Sequence, residues 1–260
     1  MPDILLRLAV AAVVLVGGMS FAFIVRLATG RSGWIDVLWC LSVGAAGEAA
    51  LWAANGAPSE RALLASALLA AWSLRLVAHI GRRSHGASDD PRYASLVGEW
   101  GRAWRSRLFS FLMAQAAAGW VLALAVVTAA TNAAPFPSLL DGASLAVAAI
   151  ALLGEATADR QLAQWRRTAS RNGICNVGLW RRSRHPNYFF EWLYWCSWPL
   201  LAANLDQPLA VLPALAAPLL MGHLLVNVSG VPPLEAHMAR TRGQAWFDYC
   251  ARTPRFWPKL

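Results

Sequence analysis

The stretch from residue 178 to residue 191 holds most of the side chains that could do chemistry. It contains four basic side chains up to His185, directly before an apolar segment. Asn187 and Glu191 follow, four residues apart, a spacing that places both on one face of a helix. A helix N-terminus beside arginines such as Arg184 is a natural phosphate site, because its N–H groups are unpaired. A simple basic anchor at a membrane edge accounts for the arginines but not for Asn187 or Glu191.

A second polar pair precedes this stretch. Glu155 and Asp159 are four apart at the end of an apolar segment, so both carboxylates project from one helix face. Two interpretations stay open: a salt-bridge cluster that anchors the helix end, or a polar pocket that binds a charged cofactor. Glu235 lies just beyond the last apolar segment, where it can meet arginines of the other loops. The pattern predicts a polar cavity for an anionic, water-soluble cofactor and a lipidic second substrate.

The composition defines the elements that must position these residues. The chain has 260 residues, 57% of them hydrophobic and 14% charged, with a formal net charge of +9. So apolar a chain can bury a large surface, which excludes intrinsic disorder. The basic residues lie between long apolar runs rather than in one stripe, so we expect no nucleic-acid partner. The class that fits is an all-α, polytopic membrane protein with basic loops.

Seven apolar stretches approach the length that crosses a bilayer. They are residues 5–26, 34–53, 61–80, 108–130, 139–158, 188–204 and 208–229. In that arrangement all Lys and Arg residues except Arg7, Arg61 and Arg75 lie at the span ends or in the loops of one face. By the positive-inside rule the N-terminus is predicted to lie outside and the C-terminus in the cytoplasm. The four cysteines show no CxxC pair and no metal-ligand spacing, so no metal site is predicted.

Several motifs resemble a known family. Residues 178–180, residues 183–188 and Glu191 resemble the signature of bacterial membrane proteins with a steroid 5-alpha-reductase-like C-terminal domain. Residues 36–39 and 90–93 also fit that pattern. The resemblance extends across most of the chain. It implies location in a bacterial inner membrane as a multi-pass protein.

The resemblance implies one membrane domain over residues 1–260. Its N-terminal helices, 1–130, would face a lipophilic substrate and the membrane lipids, and residues 139–260 would hold NADPH. The cofactor-binding residues that it implies, together with the phosphate site proposed above, are Asp159, Arg166, Arg184, His185, Asn187, Tyr188, Glu191 and Glu235. The oligomeric state is left open.

The implied chemistry is hydride delivery from the nicotinamide to the β-carbon of an enone. A protein acid must polarise the carbonyl oxygen as enolate charge develops. The family resemblance places a Gln-Glu pair on the second helix and a tyrosine on the third. Here the chain has Gly47, Glu48 and Trp72 instead, so Glu48 is the catalytic candidate. It lies ~20 Å from the cytoplasmic end of its helix, and a protonated structural carboxyl is the other interpretation.

Two other functions remain open. Isoprenylcysteine and phospholipid methyltransferases also carry an Arg-His-Pro-x-Tyr element and a C-terminal glutamate, and they bind S-adenosylmethionine. Asn187 with Glu191 and the long run 155–184 favour the reductase, since the phosphates of NADPH call for several arginines. The cationic sulfur of S-adenosylmethionine would prefer carboxylates and aromatic rings. A non-catalytic membrane protein of the same fold is the third hypothesis.

Overall fold

The computed structural model describes residues 2–53, 58–85, 90–168 and 173–259, and the regular elements in these ranges are helices. The all-α prediction is therefore confirmed. The α-helices are α1 Pro2–Thr29, α2 Ile35–Trp52, α3 Glu60–Ser84, α4 Pro91–Trp100, α5 Trp104–Ala130, α6 Leu139–Thr168, α7 Pro186–Ala202, α8 Leu212–His223, α9 Val231–Arg242 and α10 Gln244–Arg252. Short 3-10 turns lie at Gly101–Ala103, Gly178–Arg181 and Pro208–Val211, and a π-helical segment lies at Leu224–Val228.

Six helical stretches are long and apolar enough to cross a membrane, which makes the chain a multi-pass membrane protein. They are Asp3–Thr29, Ile35–Trp52, Glu60–Ser84, Arg92–Ala130, Leu139–Thr168 and Pro208–Arg242. The seventh predicted span, 188–204, corresponds to α7, which has 17 residues. At ~1.5 Å per residue α7 is about 25 Å long, one residue shorter than α2, and its 17 residues lie at the lower end of the length that crosses a bilayer. The described ranges thus hold six long apolar stretches and this shorter apolar helix.

The chain folds into two compact units. The N-terminal unit consists of Met1–Ser138 with Leu201–Ala216, and the C-terminal unit consists of Leu139–Leu200 with Ala217–Leu260. Small residues bring the helices of the N-terminal unit close together. A Cβ atom on Gly18 would come within 2.1 Å of Ser42 Oγ, and one on Gly44 within 2.3 Å of Ser73 Oγ. Such close contacts are the usual means of helix packing in membranes, where lipid is as apolar as the side chains.

A polar network ties α4 to the start of α2 and to α5. The Tyr93 hydroxyl donates to Asp36 Oδ1 over 2.9 Å, and Arg92 pairs with the other oxygen of the same carboxylate. Gln115 Nε2 donates to the Tyr93 hydroxyl oxygen over 3.2 Å. The network fixes α4 at one end of the N-terminal unit.

At the other end of this unit, Arg61 binds the chain that leaves α5. Its side chain is 3% exposed and donates to the carbonyl oxygens of Asn132, Ala134 and Pro135 over 2.8 to 2.9 Å. Three carbonyl groups that follow the end of α5, and so have no helical hydrogen bond, thus accept from a buried guanidinium. Arg61, one of the three basic residues outside the charge pattern, therefore has a structural role.

Replacing Arg61 tests this role. We expect Arg61→Leu to lower the free energy of unfolding by about 3 kcal/mol or more, because three buried acceptors lose a charged donor. Arg61→Lys should lose less, since one ammonium can still satisfy part of the set. Thermal unfolding in detergent measures both, with exposed Arg31→Leu as the control. Equal unfolding temperatures for Arg61→Leu and the control would contradict the assignment.

Candidate functional site

The turn before α7 is anchored to the second half of α6. Gly178 has a positive φ of 53°, and a Cβ atom there would come within 2.3 Å of the Gln161 amide. Glycine therefore satisfies both the backbone and the close contact. Gln161 Oε1 accepts from the Leu179 N–H over 2.9 Å, and the Trp180 indole donates to Ala158 O over 2.9 Å.

The last residues of the chain run across this turn, and we call residues 253–259 the C-terminal strap. The Arg184 N–H donates to Pro254 O, and the Lys259 N–H donates to Arg182 O, each over 2.9 Å. Two backbone hydrogen bonds thus hold the strap along the segment that carries Arg184. The strap therefore fixes the backbone of residues 182–184, which lead into the candidate site.

Ser183 links the strap to His185. Its buried hydroxyl donates to Phe256 O over 2.9 Å and accepts from the His185 N–H over 3.1 Å. The Tyr249 hydroxyl donates to Trp180 O on the other side of the turn. Because one serine hydroxyl donates to the strap and accepts from the His185 N–H, the position of His185 depends on the strap.

Glu235 at the start of α9 gathers three basic groups. His185 Nε2 lies 3.1 Å from Glu235 Oε1, and Arg184 Nε lies 3.3 Å from the same oxygen. Arg255 Nε lies 3.5 Å from Oε2. We call these four residues the Glu235 clasp. The expected meeting of Glu235 with arginines of other segments is present in the structure.

The His185 imidazole is neutral at ordinary pH. Its side chain is 1% exposed, and burial lowers its pKa below the usual value of about 6.5. The Glu235 carboxylate acts in the opposite direction but does not outweigh burial. Since a carboxylate only accepts, the proton lies on Nε2. Nδ1 is then a buried acceptor with no hydrogen-bond partner among the described residues.

Below the clasp, α6 and α7 pack side by side in opposite directions. Ser144 Oγ donates to Ser197 O over 2.9 Å. A Cβ atom on Gly154 would meet the Phe190 ring at 2.4 Å. We call this α6–α7 contact the seam.

The carboxylate and amide side chains of the seam lie near the N-terminal end of α7. Asn187 Nδ2 lies 3.5 Å from Asp159 Oδ1, a distance at the upper limit for a hydrogen bond. Glu191 Oε1 accepts from the Trp195 indole over 3.0 Å. Glu155 and Glu191 are each one turn further along, so the antiparallel register puts them at the same level. Glu155, Asp159 and Glu191 are 5%, 8% and 6% exposed, so three carboxylates are buried along one helix pair.

The remaining predicted residues border these two groups. The Tyr188 ring stacks on the His185 imidazole, with centroids 5.7 Å apart and planes 8° from parallel. Arg166 is exposed near the end of α6. Its charge favours the thiolate of Cys175, although burial dominates and raises the pKa of that thiol.

Two residues at the site had no signal in the sequence. Trp246 lies under the Arg184 guanidinium, whose carbon is 5.8 Å from the ring centroid. Arg255 joins the clasp from the strap. Both residues are more than 60 positions from Arg184 in the sequence. Helical spacing relates only residues within one helix, so it could not connect them to Arg184.

Glu48 belongs to the N-terminal unit, in the last part of α2. Ser66 Oγ donates to Glu48 Oε2 over 2.7 Å, and the Trp52 indole donates to the same oxygen over 3.2 Å. Oε1 is buried and has no hydrogen-bond partner within the described ranges. The two carboxyl oxygens therefore differ in their surroundings.

A comparison with protein families gives a match over most of the chain. Residues 22–253 match the model of a family described as "Protein of unknown function (DUF1295)". The chain belongs to this family. The match of this DUF1295 protein includes both Glu48 and Glu235, and the basic Arg255 lies just beyond it. No curated protein and no solved structure matches the chain.

The buried His185 predicts a pH dependence. The imidazole resists protonation when folded, whereas in the unfolded chain it takes up a proton near pH 6.5. Stability is therefore fully present above that pH and decreases as the pH falls through it, by at most about 1.4 kcal/mol per unit. We expect unfolding temperatures measured between about pH 7.5 and pH 5.5 to show a shallower slope in His185→Gln. The exposed His237→Gln serves as the control, and identical slopes in all three proteins would refute the assignment.

Proposed function

We propose that this DUF1295 protein is an NADPH-dependent membrane reductase that acts on the carbon–carbon double bond of a lipophilic enone. The observation that carries the proposal is the junction of the Glu235 clasp and the seam at the start of α7. Within four residues the chain passes from Arg184, which is bound to Glu235, to Asn187, which faces Asp159. The proposed location is a bacterial inner membrane, with this end of α7 in the cytoplasm, where most arginines are predicted to lie.

The chain's groups fit the cofactor in charge and in hydrogen-bonding type. Arg184 and Arg255 both face Glu235 through Nε, so these ion pairs do not use their terminal nitrogens. Two guanidiniums against one carboxylate leave positive charge for phosphate groups, with exposed Arg166 as a further candidate. His185 Nδ1 is a buried acceptor for an N–H donor such as a carboxamide.

The seam would hold the uncharged parts of the cofactor. Asp159, Asn187 and Glu191 offer acceptors and an amide to ribose hydroxyls and the carboxamide. Tyr188, stacked on His185, offers a ring face. When bound, NADPH supplies the hydride, and the side chains orient it and exclude water.

Glu48 is the proposed acid. Because Oε2 accepts from both Ser66 and Trp52, the proton of the carboxylic acid form sits on Oε1. That O–H is then free to donate to a carbonyl oxygen of a substrate entering from the bilayer. The hydrogen bond strengthens as negative charge develops on this oxygen, which stabilises the enolate.

The buried carboxylates support a second candidate function. Glu155, Asp159 and Glu191 lie along one helix pair with Tyr194, Trp195 and Trp198 on the following turns of α7. Carboxylates and aromatic rings are the groups that a sulfonium cation prefers. A methyltransferase that uses S-adenosylmethionine is therefore the alternative.

Ligand-induced stabilisation separates these candidates. We expect NADPH to raise the unfolding temperature of the purified protein in detergent and S-adenosylmethionine to have no effect, because only a bound ligand stabilises by mass action. Asn187→Ala should weaken the NADPH response about tenfold in apparent affinity, the effect of one lost polar contact of ~1.4 kcal/mol. Exposed Asn176→Ala is the matched control. A response to S-adenosylmethionine alone would establish the alternative, and a response to neither would favour a non-catalytic protein.

The role of Glu48 is tested separately from binding. In Glu48→Gln the amide at this position is a weaker acid, so NADPH oxidation with cholestenone or a straight-chain unsaturated ketone should fall about 100-fold or more. NADPH-induced stabilisation should remain unchanged. Ser66→Ala, which removes one bond to Oε2, should reduce the rate less. Full activity of Glu48→Gln would show that the carboxyl is structural.

A further inference from the structure

The segment that follows the last membrane span exposes large aromatic side chains. The helical stretch that contains this span, Pro208–Arg242, ends with the polar helix α9, and α10 and the C-terminal strap come after it. Phe247 is 55% exposed and Trp257 is 61% exposed. α10 buries Trp246 and Tyr249 on its inner face, so Phe247 lies on the outer face with a polar surface around it. Tryptophan and phenylalanine so placed are typical of the membrane–water interface.

The strap crosses the outer surface of an apolar helix near its end. The Trp257 ring packs edge-on against Phe189 at 5.9 Å and Trp192 at 5.1 Å between centroids. Both belong to the first two turns of α7. Trp257 therefore lies where the apolar surface of α7 meets the arginine-rich turn.

The same segment is strongly basic. α10 and the strap contain one acidic residue, Asp248, and three basic ones, Arg252, Arg255 and Lys259, and two more, Arg240 and Arg242, end α9 directly before them. The Lys259 ammonium donates to the carbonyl oxygen of Arg252, which holds the strap's end beside the last turn of α10. Both side chains are exposed. Basic clusters directly beside a span attract anionic lipid headgroups, each charge contributing independently.

We propose that α10 and the C-terminal strap bind the anionic headgroups of the membrane in which the chain is inserted. Basic side chains and exposed aromatic rings occur on one segment, and a bilayer surface offers both phosphate groups and an apolar boundary. That surface is within reach because Trp257 packs on the first two turns of the apolar helix α7. Since the strap also fixes Arg184 and His185 through its hydrogen bonds, headgroup binding would stabilise the candidate site.

Hydrogen exchange in nanodiscs tests this surface without any measure of activity. The full chain is placed in nanodiscs of phosphatidylcholine alone or of phosphatidylcholine with phosphatidylglycerol. We expect the amides of α10 and the strap to exchange more slowly when phosphatidylglycerol is present, because a bound surface suppresses local opening. The difference should disappear in about 1 M NaCl, where the Debye length falls to about 3 Å. Equal exchange in the two nanodiscs, or a difference that survives high salt, would overturn the proposal.

Charge variants locate the effect. Replacing Arg252 and Lys259 together by glutamine should reduce the phosphatidylglycerol-dependent protection about fivefold for each charge removed. A merely structural loss of the Lys259 contact would change exchange equally in both nanodiscs. Replacing Arg31 and Arg102, exposed basic residues of other segments, by glutamine is the matched control and should leave the protection of α10 unchanged. An equal loss in the control would assign the effect to net charge rather than to this surface, and unchanged exchange of α7 verifies that each variant is folded.

Discussion

The arrangement of the C-terminal unit depends on the hydrogen bonds between the C-terminal strap and the turn before α7. The backbone of Arg182 and Arg184 is paired with the strap, and the Ser183 hydroxyl connects the strap to His185. Where a turn is buried within the protein, its N–H and C=O groups need hydrogen-bond partners. The strap satisfies these groups and at the same time orients the basic side chains toward Glu235.

Buried charge is the second constraint. A carboxylate surrounded by helices is costly unless donors or cations neutralise it. Glu235 has two guanidiniums and an imidazole, whereas Glu191 accepts from an indole and Asp159 faces an amide. The clasp is thus positive overall and the seam is acidic. A ligand with phosphates at one end and hydroxyl or amide groups at the other complements both.

Much of the helical pattern could be predicted from the sequence, because membrane spans are encoded by local apolar length. The prediction differs from the structure at α7, where 188–204 begins after the helix does and continues past its end at Ala202, and at 208–229, which is divided between a 3-10 turn, α8 and a π-helical segment. Apolar composition does not indicate where tertiary contacts end a helix. Asn187 and Glu191 were predicted to share a face, and helical spacing alone suffices for that.

The sequence by itself determined the all-helical membrane class, the polar pairs on single helices and the basic character of the loops, since these follow from composition and from spacing within one element. Only the tertiary structure decided that Arg255 and Trp246 join Arg184, and that, among the described residues, Glu48 Oε2 has hydrogen-bond donors and Oε1 has none. The physical reason is that side-chain pairing between distant segments depends on how helices pack. No local periodicity encodes that packing.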